Sequence, residues 1–351
     1  VFNLKLSVND GIKNWTFDVI DDWGKTVWVT SKTDTSKSVP KEIVWNGSDS
    51  LTGKNNLDGY FFGRLTVEYE KGNKVTEISA PFICSSKVPE LSVKTTPKFF
   101  SPDNDGIDDD LYIKLGAKCA GKIVSWSFVI YNPEESGKKG KPFWTTNGTS
   151  KITEQLTWNG LSNVSKEKNG RAERVQSAMD YPWEFTVTDS LGLTSKSRGK
   201  ISIDILVTRD GNVLKMAVPA IIFRSNAADF KTAKEAAGSK VTPEQAANNE
   251  RVLKRVADVL NKFPDYTITV VGHANNITGT EAEETSTENG NIPLIPLSLN
   301  RAEFVKTKLK EYGVEENRMT TEGKGGRERI ASLQDRENWW KNRRVEFLLH
   351  K

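Results

Sequence analysis

The sequence predicts a multidomain chain in which two all-β sandwiches precede an α/β domain with two main helices on a mixed sheet. Three observations carry this. Residues 1–207 read as short strands joined by Gly turns, with no useful run of 3.6-residue periodicity. That stretch repeats itself, since Trp45-Asn46-Gly47 returns 113 residues later as Trp158-Asn159-Gly160. From about residue 212 strands alternate with amphipathic helices. A length of 351 residues agrees, at roughly 100 to 200 residues per domain.

Composition narrows the function. Hydrophobic residues make up 36% and charged residues 27%, which is globular rather than disordered material. No apolar run approaches the roughly 20 residues of a membrane helix. The net charge of +4 is small and dispersed, whereas nucleic-acid binding needs a concentrated basic face. Only two histidines, His273 and His350, and two cysteines, Cys84 and Cys119, are present. That is too few for a zinc cluster, and the sequence shows no nucleophile elbow, P-loop or GxGxxG. A non-enzymatic protein with no cofactor is expected. The cysteines fall in different domains and read as buried free thiols or as a pair formed in an oxidising compartment. Val1 in place of a Met and the absence of a signal-peptide pattern suggest a mature or excised fragment.

In the first half, Trp15–Ile20 and Val27–Thr30 are strands around the turn at Gly24, and Leu65–Tyr69 and Lys74–Ile83 flank Gly72-Asn73. Trp15-Thr16-Phe17 matches Trp126-Ser127-Phe128, and Asp58–Phe62 is matched with Asp180–Glu184. A repeat of this size built from short strands is that of an immunoglobulin-like sandwich. The spans are 1–86 and 87–207. Asp103, Asp105, Asp108, Asp109 and Asp110 crowd one loop. They suit either a calcium ion or a solvated turn, and Lys114 sits where an EF-hand would need its Glu.

The remaining span, 208–351, starts with an apolar strand at Val218–Phe223. Thr242-Pro243-Glu244-Gln245 has the layout of a capping box. Val252, Val256, Val259, Leu260 and Phe263 form one helix face, and Pro264 stops it. Tyr266–Val271 is a strand. Ser298 is read as the cap of a second helix with Ala302, Val305, Leu309 and Tyr312 as its stripe and Gly313 as its end. Met319–Glu322 and Val345–Leu349 are strands.

Two resemblances follow from these residues. The pattern of W-N-G, a short loop, Gly59-Tyr60-Phe61-Phe62 and a strand-turn-strand resembles FlgD-type Ig-like domains of flagellar hook-capping proteins. Phe99–Gly106 resembles the first-strand signature of bacterial envelope Ig-like repeats; the first repeat lacks it and begins near Phe2–Leu6, matching Tyr112–Leu115. In the last span, Gly272-His273-Ala274-Asn275-Asn276, Leu297-Ser298-Leu299-Asn300-Arg301-Ala302 and Asn342-Arg343-Arg344-Val345-Glu346 resemble the G-H-T-D, L-S-x-x-R-A and N-R-R-V-E motifs of OmpA-like domains. The domain order resembles spirochaete periplasmic envelope proteins.

The resemblance implies non-covalent binding of the peptidoglycan stem in the periplasm, with no transmembrane segment in this chain and with envelope proteins as partners of the Ig-like domains. Its site would comprise Gly272, His273, Asn275, Ser298, Arg301 and Arg344. Ser298 at a helix start would expose backbone N–H groups to an anion, Arg301 would add a guanidinium fork for a carboxylate, and His273 would orient the loop. Asn275 stands where the family has Asp. Losing that charge weakens binding of an ammonium by about 1 to 2 kcal/mol, roughly tenfold. Glu281, Glu283, Glu284 and Glu288 either replace it or are simply solvated. Arg343 and Arg344 cannot both face the pocket, because successive strand residues point to opposite faces; one of them either hydrogen-bonds within the fold or pairs with the Glu346 side of the sheet, and Arg344 serves either the site or the structure. Of Trp339 and Trp340, one is expected in the core and the other as an exposed flat face.

Overall fold

The computed structural model describes residues 1–30, 38–133, 140–167, 170–288 and 292–351. The first unit contains β1 (Phe2–Asn3), β2 (Ile12–Asp21), β3 (Thr26–Val29), β4 (Glu42–Ile43), β5 (Gly59–Tyr69), β6 (Lys74–Ile78) and β7 (Phe82–Cys84). Its main sheet runs β3-β2-β5-β6, with β7 on the end of β5 and a separate β1-β4 pair. Phe17, Val19, Phe61 and Val67 alternate inward to make its core.

The second unit contains β8 (Glu90–Thr96), β9 (Leu111–Lys118), β10 (Ile123–Tyr131), β11 (Pro142–Thr149), β12 (Gln155–Trp158), β13 (Leu161–Lys166), β14 (Ala172–Arg174), β15 (Asp180–Asp189) and β16 (Thr194–Ser202). A β11-β10-β15-β16 sheet and a β12-β9-β8 sheet enclose Phe128, Trp158, Tyr181 and Phe185. Strand β8 has no counterpart among the described strands of the first unit.

The repeat is physical. Trp45 Nε1 donates to the Ser48 carbonyl at 2.8 Å, and Trp158 Nε1 to the Leu161 carbonyl at 2.9 Å. In both, the intervening Asn accepts from the backbone N–H two residues on, at 3.2 Å. Gly47 and Gly160 then take φ of +80° and +73°, which a side chain would resist. Trp15 pairs with Val67 and Trp126 with Val187. This register sets Phe61 opposite Tyr181 in the repeat, two residues away from the match of Asp58 with Asp180. Inward and outward faces survive the slip because it is even.

The last unit contains β17 (Thr208–Asp210), β18 (Val213–Val218), α1 (Pro243–Leu260), β19 (Thr267–Gly272), α2 (Glu281–Thr285), α3 (Leu294–Glu311), β20 (Met319–Gly323) and β21 (Val345–His350). The sheet order is β17-β18-β21-β19-β20, and only β19 and β20 pair in parallel. Met216, Ile268, Val270, Phe347 and Leu349 face Val252, Val256, Val305 and Leu309 of the two helices in one core. No helix of the described residues is long and apolar enough to cross a membrane.

Three elements differ from the sequence expectation. The strand expected over Lys74–Ile83 breaks at Ser79–Pro81 into β6 and β7. Strand β18 ends at Val218, and the apolar run after Pro219 is irregular chain with Ala220 and Ile221 buried. Proline has no N–H for the ladder. Helix α3 starts at Leu294 with Pro293 as its cap, so Ser298 lies inside the helix. Pro296 is tolerated because first-turn N–H groups have no helical partner. The box at α1 is as read, with Thr242 and Gln245 bonding each other's backbone N–H.

Candidate functional site

The end of β19 is sewn to the start of α3 and to the turn at Lys324–Gly326. A Cβ on Gly272 would fall 2.0 Å from the Ser298 carbonyl oxygen, so this contact requires glycine. Ser298 Oγ donates to the Ile295 carbonyl and accepts from the Gly325 N–H, both at 2.9 Å. Ala274 N–H donates to the Gly325 carbonyl at 2.7 Å. Ser298 is fully buried, and its hydroxyl serves this seam. It therefore offers no helix-start N–H groups, which corrects the expected anion site.

Arg301 follows one turn later and turns away from that seam. Its Nε donates to the Ala227 carbonyl at 3.0 Å, and its guanidinium lies 4.9 Å from the Phe223 ring centroid. The side chain is 9% exposed and has no carboxylate partner among the described residues. Burial, and then the neighbouring Arg343, pull its pKa down to about 10.

Asn275 is half-buried, and its Oδ1 accepts from Asn342 Nδ2 at 2.8 Å. The acidic loop is neither a replacement carboxylate nor uniformly solvated. Buried Glu284 accepts from Gly326 N–H and from Asn276 Nδ2. Glu283 accepts from Ile277 and Thr278 N–H, and Glu281 pairs with Arg327. These carboxylates hold their own loop and the glycine turn.

Arg344 and His273 lie in a second, closed cluster around Glu346. Arg344 Nε donates to Glu346 Oε1 at 2.7 Å and Nη1 to the Glu328 carbonyl at 3.1 Å. Lys215 Nζ lies 2.7 Å from Glu346 Oε2, and His273 Nε2 lies 3.4 Å from it. The His273 ring is buried, and neither nitrogen makes a well-aligned hydrogen bond. It packs inside rather than orienting the loop. Burial alone would push the Glu346 carboxyl up; His273, Arg344 and Lys215 outweigh it and hold the group well below the usual carboxylate range. The paired arginines lie just ahead of β21 and part there. Arg344 points into this cluster, and Arg343, which the expected site omitted, lines the cleft with Arg301.

That cleft has a volume of about 1230 Å³ and lies between the second β-unit and the last unit. Phe223, Arg301, Trp340 and Arg343 line it from one side, Trp183 and Lys200 from the other. Asn275 is not among its lining residues. Trp340 is buried, whereas Trp339 is half-buried, with Nε1 donating to the Ser332 carbonyl at 3.0 Å. Sequence patterns contain no signal for the β-unit wall, since only the docking of two units creates it.

Elsewhere, carboxylate oxygens of Asp103, Asp105 and Asp109 lie within 4.8 Å of one another. They mostly serve the loop itself. Asp109 accepts from Asn104 and Gly106 N–H, Asp105 from Ile107, and Asp103 from Val207. Burial pushes the Asp103 carboxyl up, against its bond from Val207. Cys84 and Cys119 are free thiols.

Residues 240–343 match the OmpA family. The chain is 37% identical over 99 residues to peptidoglycan-binding protein ArfA of Mycobacterium bovis, and equally to that of Mycobacterium tuberculosis. The match takes in 28% of this chain and 27% of that relative, so the chain spans about a quarter of its length. Among solved structures, the periplasmic domain of Helicobacter pylori MotB aligns at 21% identity and TM-score 0.31, over 41% of this chain and 78% of that one. The cell wall anchor of the T6SS from Pseudomonas aeruginosa aligns at 23% identity and TM-score 0.31, over 42% and 87%. The C-terminal part of this protein, which carries Arg301 and Arg343 on one side of the cleft, is an OmpA-like domain.

Proposed function

We propose that this is a non-enzymatic cell-envelope protein of the periplasm that holds peptidoglycan non-covalently through its OmpA-like domain. Two Ig-like β-units, 1–86 and 87–207, serve as spacer or protein-binding arm ahead of the 208–351 domain, an order like that of spirochaete envelope proteins. The observation that carries the reading is Arg301. A guanidinium this deeply buried costs several kcal/mol of desolvation unless a counter-charge is supplied. The described residues give it one carbonyl and one ring, and its Nη groups are the part proposed to meet a stem carboxylate. The relatives named for peptidoglycan binding support the same ligand. Asn275 makes the hold weak, because the ammonium of a diamino acid would meet a neutral amide already bonded to Asn342.

Co-sedimentation of the whole chain with insoluble peptidoglycan tests this. The unmodified protein should pellet, Arg301→Met should stay in solution, and Asn275→Asp should bind roughly tenfold more tightly, as expected for a charge-assisted bond. A second reading, a scaffold that contacts only other proteins, is favoured by the Asn at position 275. It would be supported if the unmodified chain and both variants all remained soluble.

A further inference from the structure

The cleft has two walls of different electrostatic character. On the β-unit wall each carboxylate already has a cation: Asp180 meets Lys200 at 2.5 Å, and Glu184 meets Arg198 at 2.7 Å and Lys196 at 3.2 Å. On the OmpA-like wall, Arg301 and Lys240 have no carboxylate partner among the described residues. Among the described lining residues, Asp180 and Glu184 are thus matched by cations of their own wall, and Arg301 and Lys240 are left over as positive charge. The volume of about 1230 Å³ exceeds the roughly 300 to 1000 Å³ of ordinary small-molecule pockets. It is far larger than one amino-acid side chain needs.

The walls are also fixed to each other. Arg255 of α1 grips Asp204, just past β16, through two bonds of 2.9 and 2.6 Å. Lys341 pairs with Glu173 in a buried bridge, and Lys141 with Glu337 at 2.9 Å. A cleft held this way needs little reorganisation on binding, which spares the entropy of closing it.

We propose that the ligand site is composite: the second β-unit forms one wall of a preformed cleft that takes a short peptide bearing several carboxylates, anchored on Arg301 and running past Lys240 and Lys200. This rests on the peptidoglycan reading for the identity of the peptide, and it changes the role of the β-unit from spacer to part of the receptor. An acidic peptide fits because the cleft carries excess positive charge and its carboxylates are already neutralised. A polycation would meet Arg301 and Lys240 uncompensated.

The test is calorimetry on the full chain with two probes, a soluble peptidoglycan stem tetrapeptide and triglutamate. Lys200→Glu reverses a charge on the far wall at an exposed strand position. Lys71→Glu makes the same change on the exposed hairpin of the first unit, and Lys200→Gln covers any folding loss in the reversal. A composite cleft predicts three- to tenfold weaker stem-peptide binding for Lys200→Glu, an intermediate loss for Lys200→Gln, none for Lys71→Glu and an unchanged melting temperature. If Arg301→Met loses the stem peptide while both Lys200 variants bind like Lys71→Glu, the composite cleft is overturned and the peptidoglycan reading stands. If the stem peptide does not bind at all but triglutamate does, and Lys200→Glu weakens it, the cleft stands and the peptidoglycan reading falls. If neither probe binds the unmodified chain, both fall.

Discussion

At the scale of single residues, two buried charges make opposite predictions. Glu346 is satisfied by Arg344 and Lys215, so Glu346→Gln strands two cations and should cost about 3 to 5 kcal/mol at neutral pH. Its carboxyl titrates lower in the folded state than in the unfolded chain. The stability it gives is therefore present above the unfolded value of about 4.3 and lost as pH falls below it. Urea midpoints of the two proteins should converge between about pH 4.3 and pH 2; parallel curves would show that Glu346 is not the linked group. Arg301 is the reverse case. Its charge is desolvated and unpaired by any carboxylate of the described chain, so Arg301→Met should leave stability unchanged or raise it by about 1 to 2 kcal/mol while abolishing wall binding. A variant that unfolds several degrees lower and still binds would make Arg301 a scaffold residue. The sequence motif located Arg301 but suggested neither its depth nor the hold of Ala227. The pairing of one arginine with the Glu346 side of the sheet was legible as an alternative; that Arg344 takes it while Arg343 lines the cleft was not.

At the scale of elements, local chemistry was legible and tertiary docking was not. The capping box of α1, the stripe of α3 and the end at Gly313 follow from spacing, because each is satisfied within one or two turns. The start of α3 lies five residues before the expected one, with Pro293 rather than Ser298 as cap, because Ser298 has the chemistry of a cap, yet its hydroxyl is used by Gly325 across the seam. This difference is measurable. Asp serves as well as Ser at a helix cap, so a capping Ser298 would tolerate Asp and lose about 1 kcal/mol as Ala. In the buried seam, Ser298→Ala leaves the Gly325 N–H unpaired, at about 1 to 3 kcal/mol, and Ser298→Asp buries an unpaired charge and costs more. Denaturant titration giving Asp at least as stable as Ala would place Ser298 back at a helix end. Strand β18 shows the same limit: an apolar run marks burial, but Pro219 rather than hydrophobicity decides where pairing stops.

For the whole molecule, the Trp-Asn-Gly repeat pointed to two copies of one local clasp, which the β-region contains. It carried no information on which units dock. The ion pairs of Arg255, Lys341 and Lys141 each join residues far apart in sequence and belong to no motif. They tie the second unit to the OmpA-like domain. Around Ser85–Lys87, by contrast, the chain is held through Ser86 and Lys87 to the single carboxylate of Asp58. Brief trypsin digestion should therefore cut first near Lys87 and leave residues 88–351 as one protected fragment. Early cleavage at Arg209, in the β17–β18 hairpin, would show that the second and last units separate readily.

The grip of Arg255 on Asp204 has a mechanical consequence. The chain enters the OmpA-like domain through β17, a three-residue strand at the sheet edge, which alone would peel off under tension between that domain and the β-units ahead of it. Asp204 lies just before that strand, and α1, which holds it, belongs to the domain's core. A load arriving along the backbone is thus shunted through two parallel hydrogen bonds into a helix, and the edge strand is left slack. Single-molecule pulling on Arg255→Gln should show β17 detaching as a separate low-force event that the unmodified chain lacks. Identical force traces would mean that the backbone bears the load by itself.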